Sequence, residues 1–204
     1  MDDAGDTERT RALEARVAAP EPGADAPGDA LAVLDDGRPV TLSFAEAMAY
    51  HGGGSPGGVA HAFKVMQRAF PLLDPDGPVE RREITIETAF GGPGARDAFE
   101  LVTRAVTGER YRVDPALARP DLGRARERFV FRLGYRGRTV TLLVREGYVT
   151  DEFIALARRD TRGPDEERRL EVLKREMAGR VMAGAASAVY DATVGEAGPA
   201  GGAT

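Results

Sequence analysis

The only imidazoles in this chain are His51 and His61. His51 opens an unusual stretch, His51-Gly52-Gly53-Gly54-Ser55-Pro56-Gly57-Gly58. A histidine changes charge near neutral pH, so His51 is a candidate general acid/base or a donor to a ligand. The glycines free the backbone from the limits a Cβ imposes. Pro56 then suits the first position of a helix, and Ser55 before it can cap that helix. The residues predict a bend ending at a helix N-terminus, where Gly53, Gly54, Ser55 and Gly57 could offer N–H groups to an anion. A second cluster, Gly91-Gly92-Pro93-Gly94, repeats the device, which adds Gly91 and Gly92 as ligand-binding candidates. Asp97 follows in the first turn of that helix and is the candidate for orienting His51.

Each of these residues also has a plainer reading. His51 ends a helix, where a local bond or the helix dipole would hold it. Asp97 suits a helix N-terminus without further purpose, and the glycines suit turns and close packing. Ser55 is explained by capping alone, and nucleophilic catalysis is not expected of it. His61 falls on the same side of its helix as Lys64 and Arg68, and reads as solvated surface.

Composition removes several chemistries. The chain has 204 residues and no cysteine, which excludes disulfides, Cys-based zinc sites, iron–sulfur clusters and thiol catalysis. No apolar run approaches the ~20 residues of a membrane span. The formal charge is −5, and residues 1–30 supply all of it, with eight acids against Arg9, Arg11 and Arg16. The rest is balanced and has no basic stripe, so nucleic acid is not an expected partner. A cytoplasmic protein is expected, and the Arg, Ala and Gly bias suggests a GC-rich bacterial genome. His-Gly-Gly-Gly resembles an esterase oxyanion loop, but no Gly-x-Ser-x-Gly elbow follows. Walker and dinucleotide-binding glycine motifs are also absent.

The elements that must position these residues follow from periodicity. Residues 1–30 and 194–204 read as mobile ends around a folded body at 31–193. A hairpin is predicted over 31–42, around Asp35-Asp36-Gly37-Arg38. Ser43 and Glu46 form a capping box for a helix over 44–51. A helix from 56 to about 70 places Val59, Phe63, Met66 and Phe70 on one stripe. Residues 83–88 alternate as a strand, and a helix over 95–107 follows. Residues 109–125 read as irregular. A hairpin joins 128–133 to 139–144, then come a helix over 150–160 and a long one from 164 to about Tyr190. Glu171–Arg175 and Glu176–Arg180 are predicted to support the long helix. Hairpins packed against helices make the class α+β.

The order of these features resembles the FmdE-like family of formylmethanofuran dehydrogenase proteins. His51-Gly52 with Pro56-Gly57 matches its His-Gly-His-x-Cys-Pro-Gly motif. Asp97-Ala98, Thr103 and Gly108 match a later segment, and Phe129-Val130-Phe131 with Gly137 resembles its Phe-x-Phe hairpin. The resemblance covers roughly residues 43–160 and implies a single domain of that fold. It implies a ligand-binding or accessory protein of one-carbon or molybdenum/tungsten oxidoreductase metabolism, with an oxidoreductase subunit as partner. In the family, His and Cys residues are read as a metal site. Here the corresponding positions are Gly53, Ser55 and Ala105, and only His51 is kept. No metal and no cofactor are therefore expected, the family's zinc site being lost. The alternative is a small-molecule enzyme with His51 as acid/base and an anionic substrate at the two helix N-termini. The apolar seam of the last helix could also pair two copies of the chain, and a homodimer is expected.

Overall fold

The computed structural model describes residue 28 and residues 30–196. The readings of residues 1–27 as an acidic arm and of 197–204 as a tail lie outside the described residues. Strands β1 (Ala30–Asp35) and β2 (Arg38–Ser43) form the first hairpin. Asp36 and Gly37 turn it with φ of 51° and 75°, the left-handed pair a two-residue hairpin requires. The Glu80 carboxylate accepts both turn N–H groups, at 3.2 and 2.9 Å. The Ser43–Glu46 capping box is formed and starts α1 (Phe44–His51). Gly52, at φ 77°, ends it, as an αL C-cap should.

Helix α2 (Pro56–Leu73) is the axis of the molecule. Its predicted stripe of Val59, Phe63, Met66 and Phe70 is buried, but so are His61, Lys64 and Gln67 on the other side. It packs against α3 (Pro93–Thr103), α5 (Pro164–Ala183) and the inner face of the larger sheet. Gly57, Gly58, Ala60, Ala62 and Ala69 are all buried on it, and such small residues let neighbours approach from every side. The helix runs through Pro71, three residues beyond its expected end.

The larger sheet is ordered β4-β3-β5-β6-β7, with β3 (Thr85–Thr88), β4 (Tyr111–Val113), β5 (Val130–Tyr135), β6 (Arg138–Val144) and β7 (Tyr190–Glu196). Strands β3 and β4 are parallel, joined through α3, and every other neighbouring pair is antiparallel. Ile86, Phe131, Leu133, Val140, Leu142 and Tyr190 are fully buried beneath the helices. The opposite face is polar: Glu87 receives Arg112 at 2.5 Å and Arg132 at 3.3 Å. The architecture is α+β, hairpins and one parallel unit packed on helices.

Several boundaries differ from the sequence expectation. Strand β4 lies in the stretch read as irregular, because three residues carry too short a pattern to announce a strand. After α4 (Asp151–Ala157), the long helix stops at Ala183, where Gly184 is extended. A short α6 (Ala186–Val189) and β7 replace its expected last turns. Strand β7 continues through Glu196, past the expected edge of the folded body at 193, because it completes the sheet beside β6. Neither expected ion pair on α5 forms. Lys174 meets Glu171 at 2.6 Å, Glu176 is 3.7 Å from Arg169, and Arg180 donates to the Gly147 carbonyl at 3.3 Å. Among the described residues, no helix is long and apolar enough to cross a membrane.

Candidate functional site

The two Gly/Pro helix starts meet. A Cβ on Gly94 would stand 2.3 Å from the Ser55 carbonyl oxygen and 3.0 Å from the Val59 nitrogen. One on Gly58 would stand 3.1 Å from the Ala95 nitrogen. These are backbone atoms of paired helices and cannot step aside, so only glycine permits the contact. Both helices begin with proline, at Pro56 and Pro93. The Ser55 carbonyl accepts from Gly58 and Val59, and the Gly92 carbonyl accepts from Arg96. The N–H groups of Gly57 and Gly94, in the first turns, have no partner within their helices.

Both N-termini open onto a cavity of about 380 Å³. Ser55, Gly57, Gly91 and Gly92, four of the expected ligand-binding residues, line it. Gly53 and Gly54 do not; they lie exposed on the bend, and the Gly54 carbonyl accepts from Lys174 at 3.2 Å. The rest of the wall comes from distant parts of the chain. Phe90 stacks on Phe129 with ring centroids 4.5 Å apart, and Phe153, Ile154 and Met177 add apolar surface. Four cations contribute: Arg124, Arg128, Arg158 and Lys174. Arg158 is held by Glu127 at 2.5 Å and Lys174 by Glu171. Arg124 and Arg128 are exposed and make no ion pair among the described residues. Among the described residues, no carboxylate lines the cavity. The site is thus electropositive and apolar together. Neither the arginines nor Phe153 was singled out in the sequence, because they belong to no motif and converge only through the fold.

His51 and Asp97 come together, but not in that cavity. The Ser55 N–H donates to His51 Nε2 at 2.8 Å, so the ring proton sits on Nδ1, which donates to Asp97 Oδ2 at 2.8 Å. Both ring nitrogens are therefore engaged in closing the bend and tying it to α3. The expected orienting contact between Asp97 and His51 is present. The lone pair needed for acid/base work on a bound molecule is occupied by the backbone. Ser55 is also placed differently from expectation. It occupies the N-cap position, yet its hydroxyl makes no capping bond, and it is its backbone N–H that is engaged, with His51.

His61 overturns its surface assignment. It is fully buried, with Nδ1 2.6 Å from the Tyr190 hydroxyl oxygen. Its ring lies 4.7 Å from that of Phe129, and Nε2 has no partner among the described residues. Burial lowers its pKa to about 3 and raises that of Tyr190 well above the usual phenol value, so both are neutral. The charge of neighbouring Lys64 pointed toward solvent; the small residues on every face of α2 pointed inward and were the better signal.

The residues that the resemblance would set at metal positions do not fit a transition metal. Gly53 and Ala105 bring no donor side chain, Ser55 brings only a hydroxyl, and His51 has both nitrogens bonded. Such ions take three or four N, S or O ligands, and no group of three acidic or histidine side chains placed to hold one occurs among the described residues. The sequence matches no protein-family model, and no curated protein matches it either.

Proposed function

We propose that this protein binds a small anionic molecule in the cavity where the starts of α2 and α3 meet. The observation that carries the reading is the convergence of two helix N-termini with the unpaired Arg124 and Arg128 on a space that no described carboxylate lines. Helix starts favour anions through their free N–H groups and dipoles, and guanidinium groups bind carboxylate or phosphate with two parallel bonds. The test is an amide-resolved titration with inorganic phosphate. The Gly57, Gly92 and Gly94 resonances should shift at millimolar phosphate, and Arg124→Gln/Arg128→Gln should weaken the response about tenfold. The absence of any shift up to saturating phosphate would refute the reading.

The second reading is the resemblance to the FmdE-like family. What supports it is that the residues carrying the resemblance sit close together. His51 and Asp97, from the first two motifs, are bonded to each other, and Gly57 and Phe129, from the first and third, line one cavity. On this reading the chain is a metal-free relative, a cytoplasmic ligand-binding or accessory protein in a one-carbon or molybdenum/tungsten oxidoreductase setting. An oxidoreductase subunit would be its partner, and two copies would form a dimer. In both readings His51 serves to shape the bend. Purification of the native complex from its source, with identification of any co-purifying oxidoreductase subunit, separates this setting from simple ligand binding.

A further inference from the structure

We infer that the ligand is an amphipathic acid: one carboxylate, sulfonate or phosphate group joined to a flat, apolar body of about two fused rings. The inference rests on the anion-binding reading above and assigns the class of ligand. A volume of about 380 Å³ would hold about a dozen waters at bulk density, far more than one inorganic anion displaces. Much of that water would lie against Phe90, Phe153, Ile154 and Met177, and moving it off apolar surface is favourable. The aromatic wall is also rigid. Phe129 is 1% exposed, stacks on Phe90 at 4.5 Å, and rests against the His61 ring on its buried side. A flat ring system fits such a wall with little loss of side-chain freedom. The anionic group is required by the other half of the lining. Arg124 and Arg128 have no partner among the described residues, and the Gly57 and Gly94 N–H groups have none within their helices. A bare anion leaves the aromatic wall wet, and a neutral ring leaves the guanidinium groups unused.

Three probes separate the cases: 8-anilino-1-naphthalenesulfonate, its neutral counterpart N-phenyl-1-naphthylamine, and inorganic phosphate. The fluorescence of the first two and calorimetry for phosphate give the affinities on the full chain. One sulfonate per chain should bind, at least about tenfold tighter than either other probe. Arg124→Gln/Arg128→Gln and Phe153→Ala should each weaken it by about tenfold, with the circular dichroism of both variants unchanged. All of these substituted side chains are exposed or half-buried, so the fold is expected to survive. Phosphate binding as tightly as the sulfonate would overturn the amphipathic class and leave the anion site standing. The neutral amine binding as tightly as the sulfonate would overturn both. Binding of none of the three would also overturn both, and several sulfonates per chain, unaffected by the substitutions, would overturn the assignment to this cavity.

Discussion

His61 makes the stability of this protein depend on pH in a way that can be calculated. Its folded pKa is lowered to about 3 from an ordinary 6.5, because burial disfavours the charged ring. Between those values the unfolded chain binds a proton that the folded chain refuses. Stability therefore rises with pH across this window and is lost as pH falls below 6.5. Each pH unit below that point costs about 1.4 kcal/mol, so moving from about pH 7.5 to about pH 5 should remove roughly 2 kcal/mol. The control is His61→Leu/Tyr190→Phe, which replaces the pair by apolar groups and leaves no buried hydroxyl or ring nitrogen behind. Urea unfolding followed by far-ultraviolet circular dichroism gives both stabilities, and the absence of tryptophan makes fluorescence the poorer probe. The wild type should lose about 2 kcal/mol more than the double variant over this interval. Every other titratable group is common to the two proteins, so the comparison isolates the buried pair. Parallel pH profiles would refute the reasoning, since they would mean that the folded protein protonates His61 as readily as the unfolded chain does.

Two further outcomes follow from the joined helix starts. Gly94→Ala should destabilise by about 2–3 kcal/mol, because its Cβ would strike the Ser55 carbonyl. Gly54→Ala, with nothing within 4 Å of the new carbon, should stay within about 0.5 kcal/mol of wild type; urea midpoints check both, and equal effects would contradict the close helix contact. His51 should be the Nδ1–H tautomer when neutral, as its Nε2 accepts from Ser55. Long-range nitrogen–proton correlation spectra report this directly, and an Nε2–H signal would disprove the bonding described.

The two helix starts that border the candidate site were legible in the sequence, while the rest of the cavity wall was not. Gly and Pro act through local backbone geometry, so both helix starts, the Asp36-Gly37 turn and the Ser43–Glu46 box could be read from neighbouring residues alone. The stripe of α2 and the alternation over residues 83–88, which contain β3, could be read for the same reason, since periodicity is a local property. Alternation also marks Tyr190, Ala192 and Val194, but the preceding helical pattern obscured them, and β7 exists because β6 offered an edge.

What the tertiary structure decided is which side chains meet. The same imidazole chemistry produced two different outcomes from one segment. His51, on a half-buried bend, found a backbone N–H and a carboxylate from 46 residues away. His61, on a helix covered on all sides, lost its charge to burial. The sequence placed His61 among polar neighbours, and no local pattern records that α3, α5 and the sheet would close around them. Likewise Arg124, Phe153 and Met177 have nothing in common along the chain. They share a cavity because Gly58 and Gly94 allow two helix starts to touch, leaving space at the junction that later segments surround. The glycine-rich bend by itself determined where two helices could approach. The fold determined that their approach borders an electropositive, aromatic-walled cavity, because burial and charge are properties of the assembled whole.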